Sequence, residues 1–184
     1  AAAEKVLALR TDDHRAVCRR VREVAPPFAG LSGARCGGHH LHAVIEMEPG
    51  VYLAHCVLGL VYTQQAMHRE ALQALERACA LSPGNAFTRG VLAYALGKSG
   101  RREEAERIGE ELLAAGRQGY VPAKALMFVR AGLDDAAQVI RWAEQSLEER
   151  DPMTVMNLLQ EPAFEFVRSG AAGAALLRKI RLAQ

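Results

Sequence analysis

VYLAHCVLGLVYTQQAMHREALQALERACALSPG, residues 51–84, is the stretch that decides the fold of this chain. Its first half places Leu58 and Tyr62 four residues apart on one helix face, and Gly59, which has no side chain, lets a second helix approach closely. Its second half carries a narrow stripe of small and medium side chains at helical spacing, Ala71, Leu75 and Ala78. Because Pro83 cannot continue that helix, the stretch predicts an antiparallel helix hairpin.

The hairpin pattern has a period of 34 residues. Pro49 in EMEPG and Pro83 in ALSPG are 34 positions apart, and each follows an amphipathic segment and precedes a glycine. With Tyr52 as the first position, three units follow one another: 52–85, 86–119 and 120–153. A single hairpin cannot bury its apolar faces alone, so we expect the units to stack into an elongated array.

The composition favours helices over strands. Hydrophobic residues make up 50% of the 184 residues and aromatic residues only 5%, so Ala, Leu and Val supply most of the apolar content. The formal charge of +2 gives no field that would favour nucleic acid as a partner. We therefore predict an all-α fold and no direct nucleic-acid binding.

The chain has the sequence of a cytoplasmic protein. No uninterrupted apolar stretch approaches the roughly 20 residues that span a bilayer, and AAAEKVLALRTDD at the start lacks the layout of a signal peptide. We expect no membrane association and, since the chain starts at Ala1, a fragment of a longer protein. The four cysteines form no C-x-x-C pair and are expected to stay reduced: Cys18, Cys36, Cys56 and Cys79.

The first unit resembles a tetratricopeptide repeat. It matches the family pattern at Leu58, Gly59, Tyr62, Ala71, Leu75, Ala78 and Pro83, and it departs at His55, where the family usually has tryptophan. The second unit keeps Leu92, Ala93, Gly100 and Ala105, with Asn85 as a predicted N-cap. It has Gly109 and Arg117 where a large apolar residue and a proline are expected, so we expect its second helix to be locally loose there.

The third unit and the tail resemble a subgroup of that family. The unit carries Met127, Arg130, Val139 and Ala143 at the repeat positions. With the tail it is similar to the C-terminal repeat regions of bacterial multidomain regulators, in which such arrays follow winged-helix, cyclase or kinase domains. The similarity lies in Tyr120-Val121, Trp142, the run 149–152, Glu161-Pro162-x-Phe164 and Arg168-Ser169.

The resemblance implies a right-handed α-solenoid of antiparallel helix pairs with a C-terminal capping segment, residues 154–184. In the last helix of the cap, Leu176, Leu177 and Ile180 are expected to face the array, and Trp142 is expected to pack against the cap. Residues 1–51 are expected to form an N-terminal segment that is helical over 1–25. An irregular loop over 26–38 and the second helix of a degenerate repeat over 39–48 are expected to complete it.

No arrangement typical of an enzyme occurs in the sequence. It contains no nucleophile with a recognisable base, no phosphate-binding glycine loop with its lysine and no H-E-x-x-H motif. We therefore predict a non-enzymatic protein without a cofactor.

The resemblance implies a concave groove, lined by the first helix of each pair, that binds an extended peptide or a helix. The expected partner is a protein or peptide, or the effector domain of the parent protein. The groove candidates are Leu53, Cys56, Leu60, Thr63, Gln64, Phe87, Tyr94, Lys98, Lys124 and Phe128. The alternative is that several of them only fill the seams between units.

The groove lacks the basic clamp of family members that bind a terminal carboxylate. The corresponding places hold uncharged residues, Cys56, Leu60, Val91, Val121 and Ala125. Apolar and aromatic contacts are therefore expected to recognise the partner.

A second hypothesis is a ligand- or metal-sensing regulatory fragment of a larger bacterial signalling or transcription regulator. Its candidates come from ARCGGHHLH, residues 34–42, and are Cys36, His39, His40 and His42. Their spacing matches no paired C-x-x-C zinc frame, and Gly37-Gly38 interrupts the helix that would bring them together. We favour an eroded repeat boundary, with no metal site.

Overall fold

The computed structural model describes residues 41, 42 and 44–182, and 79% of them are helical. No strand occurs within these ranges, so the all-α prediction is confirmed. Helical residues at 41–42 and 44–47 precede the numbered elements. These are α1 (Tyr52–Gln64), α2 (His68–Leu81), α3 (Ala86–Lys98), α4 (Arg102–Gly116), α5 (Ala123–Gly132), α6 (Ala136–Glu148), α7 (Pro152–Gln160), a 3-10 helix (Pro162–Phe164), α8 (Glu165–Arg168) and α9 (Ala171–Leu182).

Several sequence predictions lie outside the described residues. They are the helix over 1–25, the loop over 26–38, and the side chains of Cys18, Cys36, His39 and His40. None of the helices that the structure describes is long and apolar enough to cross a bilayer.

The helices pack as pairs. Consecutive helices α1 and α2, α3 and α4, and α5 and α6 lie against each other, and α3 also packs against α5. The first helix of each pair ends at Gln64, Lys98 and Gly132. The second helix begins at His68, Arg102 and Ala136. Both boundaries therefore recur every 34 residues, at the spacing that the sequence predicts.

The turns inside the three pairs share one backbone conformation. Each has a residue with positive φ at the same place: Ala66 (57°), Gly100 (87°) and Asp134 (59°). The N–H of the next residue donates to a carbonyl five residues earlier, from Met67 to Tyr62 at 2.9 Å, Arg101 to Leu96 at 2.9 Å and Asp135 to Arg130 at 3.0 Å. These are the bonds of a Schellman motif, which favours glycine at the left-handed position.

Exchanging alanine and glycine at the left-handed positions of the first two turns should change the stability in opposite directions. Ala66→Gly should raise the free energy of unfolding by about 0.5 kcal/mol, because relief of the left-handed strain exceeds the added freedom of the unfolded chain. Gly100→Ala should lower it by about 1 kcal/mol. A Cβ at Gly100 meets nothing within 4 Å, so the backbone alone would cause that loss. Urea denaturation followed by circular dichroism measures both, and a Gly100→Ala midpoint equal to wild type would contradict the assigned turn.

Helices α3 and α5 approach each other backbone to backbone. A Cβ on Gly97 would lie 2.3 Å from the carbonyl oxygen of Gly132, and one on Gly90 would lie 2.4 Å from that of Ala125. Real Cβ atoms do not come so close to a carbonyl oxygen, so glycine is required at both places. The spacing of this helix pair is therefore fixed by main-chain contact and places the side chains of α3 and α5 in one continuous surface.

The second unit differs from expectation at Gly109. The prediction of a locally loose helix is wrong, since α4 runs without interruption from Arg102 to Gly116. Gly109 is buried, and a Cβ there would lie 3.0 Å from Cγ1 of Val129. The missing side chain thus lets α4 pack closely on α5. Asn85 is the N-cap of α3, as predicted, and its Oδ1 accepts from the N–H of Phe87 at 3.0 Å.

The first helix of the third unit begins later than the 34-residue spacing predicts. Helix α5 starts at Ala123, three positions after Tyr120, with Pro122 in an extended conformation before it. Glu149, at the end of α6, accepts from the N–H of Ala123 at 3.2 Å and from the hydroxyl of Tyr120 at 3.1 Å. A carboxylate at a helix N-terminus satisfies a free N–H and favours the start at this residue.

The C-terminal part folds back onto the pairs. In α9, Leu176 and Ile180 are buried and Leu177 is half-buried, which confirms the predicted inward face. Trp142 of α6 is half-buried and packs against two apolar clusters, one of which contains Leu176 and Ile180 among many other residues, so its contact with the cap stays a prediction. The cap holds four short elements, of which the sequence predicted only the last.

Candidate functional site

The ten groove candidates fall into two groups. Leu53, Gln64, Phe87, Lys98 and Lys124 are half-buried and lie near the ends of α1, α3 and α5. The other five are buried, namely Cys56, Leu60, Thr63, Tyr94 and Phe128. In this conformation a partner can therefore touch the first group directly, whereas the second group is reached only after whatever covers it has moved.

Three rings form the centre of this surface, and we name Phe87, Tyr94 and Phe128 the aromatic face. The ring of Phe128 on α5 meets the edges of two rings on α3, with centroid distances of 5.7 Å to Phe87 and 6.1 Å to Tyr94. The interplanar angles are 84° and 80°. Edge-to-face packing of this kind is favourable and fixes the ring positions.

The aromatic face is covered by residues 161–168, which we name the covering segment. Its Phe164 is fully buried and packs on Phe128 with a centroid distance of 5.1 Å and an interplanar angle of 68°. The ring of Phe166 lies 5.5 Å from the ammonium of Lys98. Phe164 belongs to an apolar cluster that also contains Cys56 and Leu60 of α1. Part of the chain itself therefore occupies the surface for which the sequence predicts a partner.

Two lysines flank the aromatic face at opposite helix ends. Lys98, at the end of α3, lies 5.9 Å from the ring of Tyr94 and forms an ion pair with Asp134. Lys124, at the start of α5, lies 5.3 Å from the ring of Phe87 and 2.8 Å from Asp151. Both ammonium groups are partly exposed and held beside aromatic rings, so they are placed to meet carboxylates or aromatic side chains of a ligand.

Arg168 braces the covering segment internally and ties it to the end of α7. Its guanidinium donates to the carbonyl oxygens of Leu158 at 2.9 Å and Glu161 at 2.8 Å, and it forms an ion pair with Glu165. These bonds satisfy carbonyl groups where α7 ends. Glu161, Phe164 and Arg168 carry part of the resemblance, but the sequence did not predict that they lie on the groove.

Glu161 is an unusual part of this segment, because the residue is only 1% exposed and its Oε1 has no hydrogen-bond partner among the residues that the structure describes. Burial raises the pKa of this carboxyl to about 8, and the nearby charge of Arg168 only partly opposes the shift. Near neutral pH much of the population therefore keeps a proton on a side chain that is normally ionised. The covering segment is thus bound at a cost, since a buried polar group without a partner is unfavourable.

The buried groups of the surface are poor catalysts. Burial raises the pKa of the Cys56 thiol and that of the Tyr94 hydroxyl, so both groups stay protonated near neutral pH. Gln64 donates to the Tyr94 hydroxyl at 2.9 Å, which fixes that ring further. These features keep both groups protonated and fixed in position.

The five groove positions at which the sequence lacks a basic carboxylate clamp also lie in apolar surroundings in the structure. Cys56, Leu60, Val91 and Ala125 are buried, and Val121 is half-buried.

The candidate metal site is described only at His42. Its ring is exposed, and its Nε2 lies 2.9 Å from the hydroxyl of Tyr62. Among the described residues, no group of three or more His, Cys, Asp or Glu side chains could hold a metal ion.

Comparison of the sequence with protein-family models finds no match, and no curated protein matches it.

Proposed function

We propose that this chain is a protein–protein interaction module that binds a protein or peptide partner, or the effector domain of its parent protein, on the aromatic face. The observation that supports this most directly is the burial of Phe164 against Phe128 at 5.1 Å. A short, irregular stretch of chain is already bound there through an aromatic side chain. This packing supports recognition of a peptide through aromatic side chains.

The proposed architecture is a right-handed α-solenoid of tetratricopeptide-like helix pairs with a C-terminal cap. Three features support it: the 34-residue spacing of the helix boundaries, the common backbone of the three turns and the close contact of α3 with α5. In such an array the first helices line one surface, which suits a ligand that contacts several units at once.

The proposed mode of action is binding alone, without a chemical reaction on the partner. The aromatic face offers edge-to-face ring packing in its centre and cationic groups beside Phe87 and Tyr94. Aromatic side chains in a desolvated pocket often supply most of the binding energy of an interface, and flanking charges guide association. We therefore expect recognition by one or two aromatic anchors.

A peptide-display selection tests the proposed function. Peptides selected on the wild-type chain should bind at least about tenfold more weakly to a Phe87→Ser/Lys124→Glu variant, since an anchor contact contributes about 1–2 kcal/mol. These two side chains are half-buried, so the fold should survive the change. Binding is measured by biolayer interferometry, and circular dichroism checks the helix content.

Arg178→Glu is the matched control, because it makes the same change of charge at an exposed position of α9. It should leave binding unchanged. A selection without enrichment, or peptides that bind the double variant as well as wild type, would refute the aromatic face as the binding surface.

A further inference from the structure

The covering segment shows which ligand chemistry the aromatic face accepts. It presents Phe164 and Phe166, two residues apart, to Phe128 and to Lys98. The segment is a 3-10 turn followed by a single helical turn, so a short peptide can reproduce its length. Glu165 stands between the two phenylalanines in the sequence, and its side chain is mostly exposed. The surface therefore contacts two phenylalanines that are separated by one exposed residue, and the ion-pair partner of that residue is Arg168 of the segment itself.

The receiving surface is built from parts that do not depend on the covering segment. Main-chain contacts at Gly97 and Gly132 fix the spacing of α3 and α5. The ring of Phe128 is held by Phe87 and Tyr94, and Gln64 holds the Tyr94 hydroxyl. We therefore expect the aromatic face to keep its shape when the segment leaves.

The covering segment is an imperfect ligand for this surface. Glu161 brings a carboxyl into the interior, and one of its oxygens finds no partner within the described part of the chain. A ligand with an apolar side chain at that place would avoid this cost, and one with an amide would avoid burying a group that can ionise. A free peptide that keeps the two phenylalanines and lacks the buried acid should therefore compete with the covering segment for the aromatic face.

We propose that the aromatic face binds a partner peptide carrying two phenylalanines separated by one residue, and that this peptide displaces residues 161–168 of the chain itself. The inference rests on the proposed function and specifies the ligand. Phe128 receives the first ring and Lys98 the second. The intramolecular copy raises the apparent Kd by acting at high effective concentration, so weakening that copy should strengthen binding of the peptide.

The test uses a fluorescein-labelled peptide LLQQPAFEFVRSG, which is the sequence of residues 158–170 with glutamine in place of Glu161. Fluorescence anisotropy measures its binding to the wild-type chain and to two full-length variants. Phe164→Ala removes the first aromatic ring of the covering segment. Arg168→Ala removes the bonds that Arg168 donates to the carbonyl oxygens of Leu158 and Glu161 and leaves every apolar side chain in place. Each variant should bind the peptide at least tenfold more tightly than wild type does.

The control peptide, LLQQPAAEAVRSG, lacks both rings and should bind none of the chains. Equal anisotropy for both peptides on a variant that melts cooperatively would overturn the proposal. Loss of cooperative melting in both variants would also overturn it, since the segment would then be an obligatory part of the fold. Dimers of wild-type chain, detected by light scattering after gel filtration, would assign the face to a second copy instead.

The display selection separates this inference from the proposed function. If the selected peptides depend on Phe87 and Lys124 but the two-phenylalanine peptide does not bind, the interaction function stands and the ligand chemistry is refuted. If the two-phenylalanine peptide binds and Lys98→Ala leaves its affinity unchanged, the peptide does not lie where the covering segment lies, and the ligand chemistry is refuted while the display selection still decides the proposed function.

Discussion

Glu161→Gln should make the protein more stable than wild type at pH 8.5 and leave its stability at pH 4.5 almost unchanged. In the wild-type chain, burial raises the pKa of Glu161 from its usual 4.5 to about 8. Between these two values the folded state holds a proton that the unfolded state has released. The free energy of unfolding therefore falls as the pH rises through this window.

The size of the effect follows from the width of the window. A difference of several pKa units corresponds to about 2–5 kcal/mol between pH 4.5 and pH 8.5, allowing for some relaxation of the site. Glutamine has the shape of the protonated acid but does not ionise, so the variant lacks this loss. Urea denaturation of both proteins at a series of pH values measures it. Every other titrating group is common to the two proteins, so the difference between them reports on Glu161.

Glu148→Gln is the control for this experiment. It is the same substitution on an exposed side chain of α6 and should shift stability by less than about 0.5 kcal/mol at either pH. If Glu161→Gln also showed no difference from wild type between pH 4.5 and pH 8.5, the carboxyl would be in contact with water in solution. The covering segment would then not lie on the aromatic face as described.

Gly97→Ala should lower the free energy of unfolding by about 2–3 kcal/mol, although alanine normally stabilises a helix. The added methyl would lie 2.3 Å from the carbonyl oxygen of Gly132 and 2.5 Å from its carbonyl carbon. A main-chain atom cannot rotate away as a side chain can, so α3 and α5 must separate. The edge-to-face contact of Tyr94 with Phe128 would then loosen as well.

Gly116→Ala is the matched control. Gly116 is the last residue of α4, and a Cβ there would make only ordinary contact, at 3.8 Å from Val121. We expect a gain of about 0.5 kcal/mol or no change. Thermal and urea unfolding of both variants measure the contrast. A Gly97→Ala protein as stable as wild type would show that the two helix backbones are not in contact.

The sequence predicted features that depend on neighbours in the chain. The helix boundaries and the turns are set by apolar spacing and by proline, glycine and asparagine at fixed offsets, and these signals are local. Asn85 caps α3 because its side chain reaches N–H groups two and three residues ahead. Gly109 shows where a local pattern misleads, since the pattern of one helix does not reveal which neighbour needs the space.

The sequence by itself thus determined an all-α chain of helix pairs with a 34-residue period, together with the side chains that the first helices offer. Only the tertiary structure decided that residues 161–168 lie on that surface, that Phe164 meets Phe128 and that Glu161 is buried. These contacts join residues that are far apart in the chain and belong to no period. They depend on how the C-terminal part folds back over α3 and α5, and no local pattern carries that information.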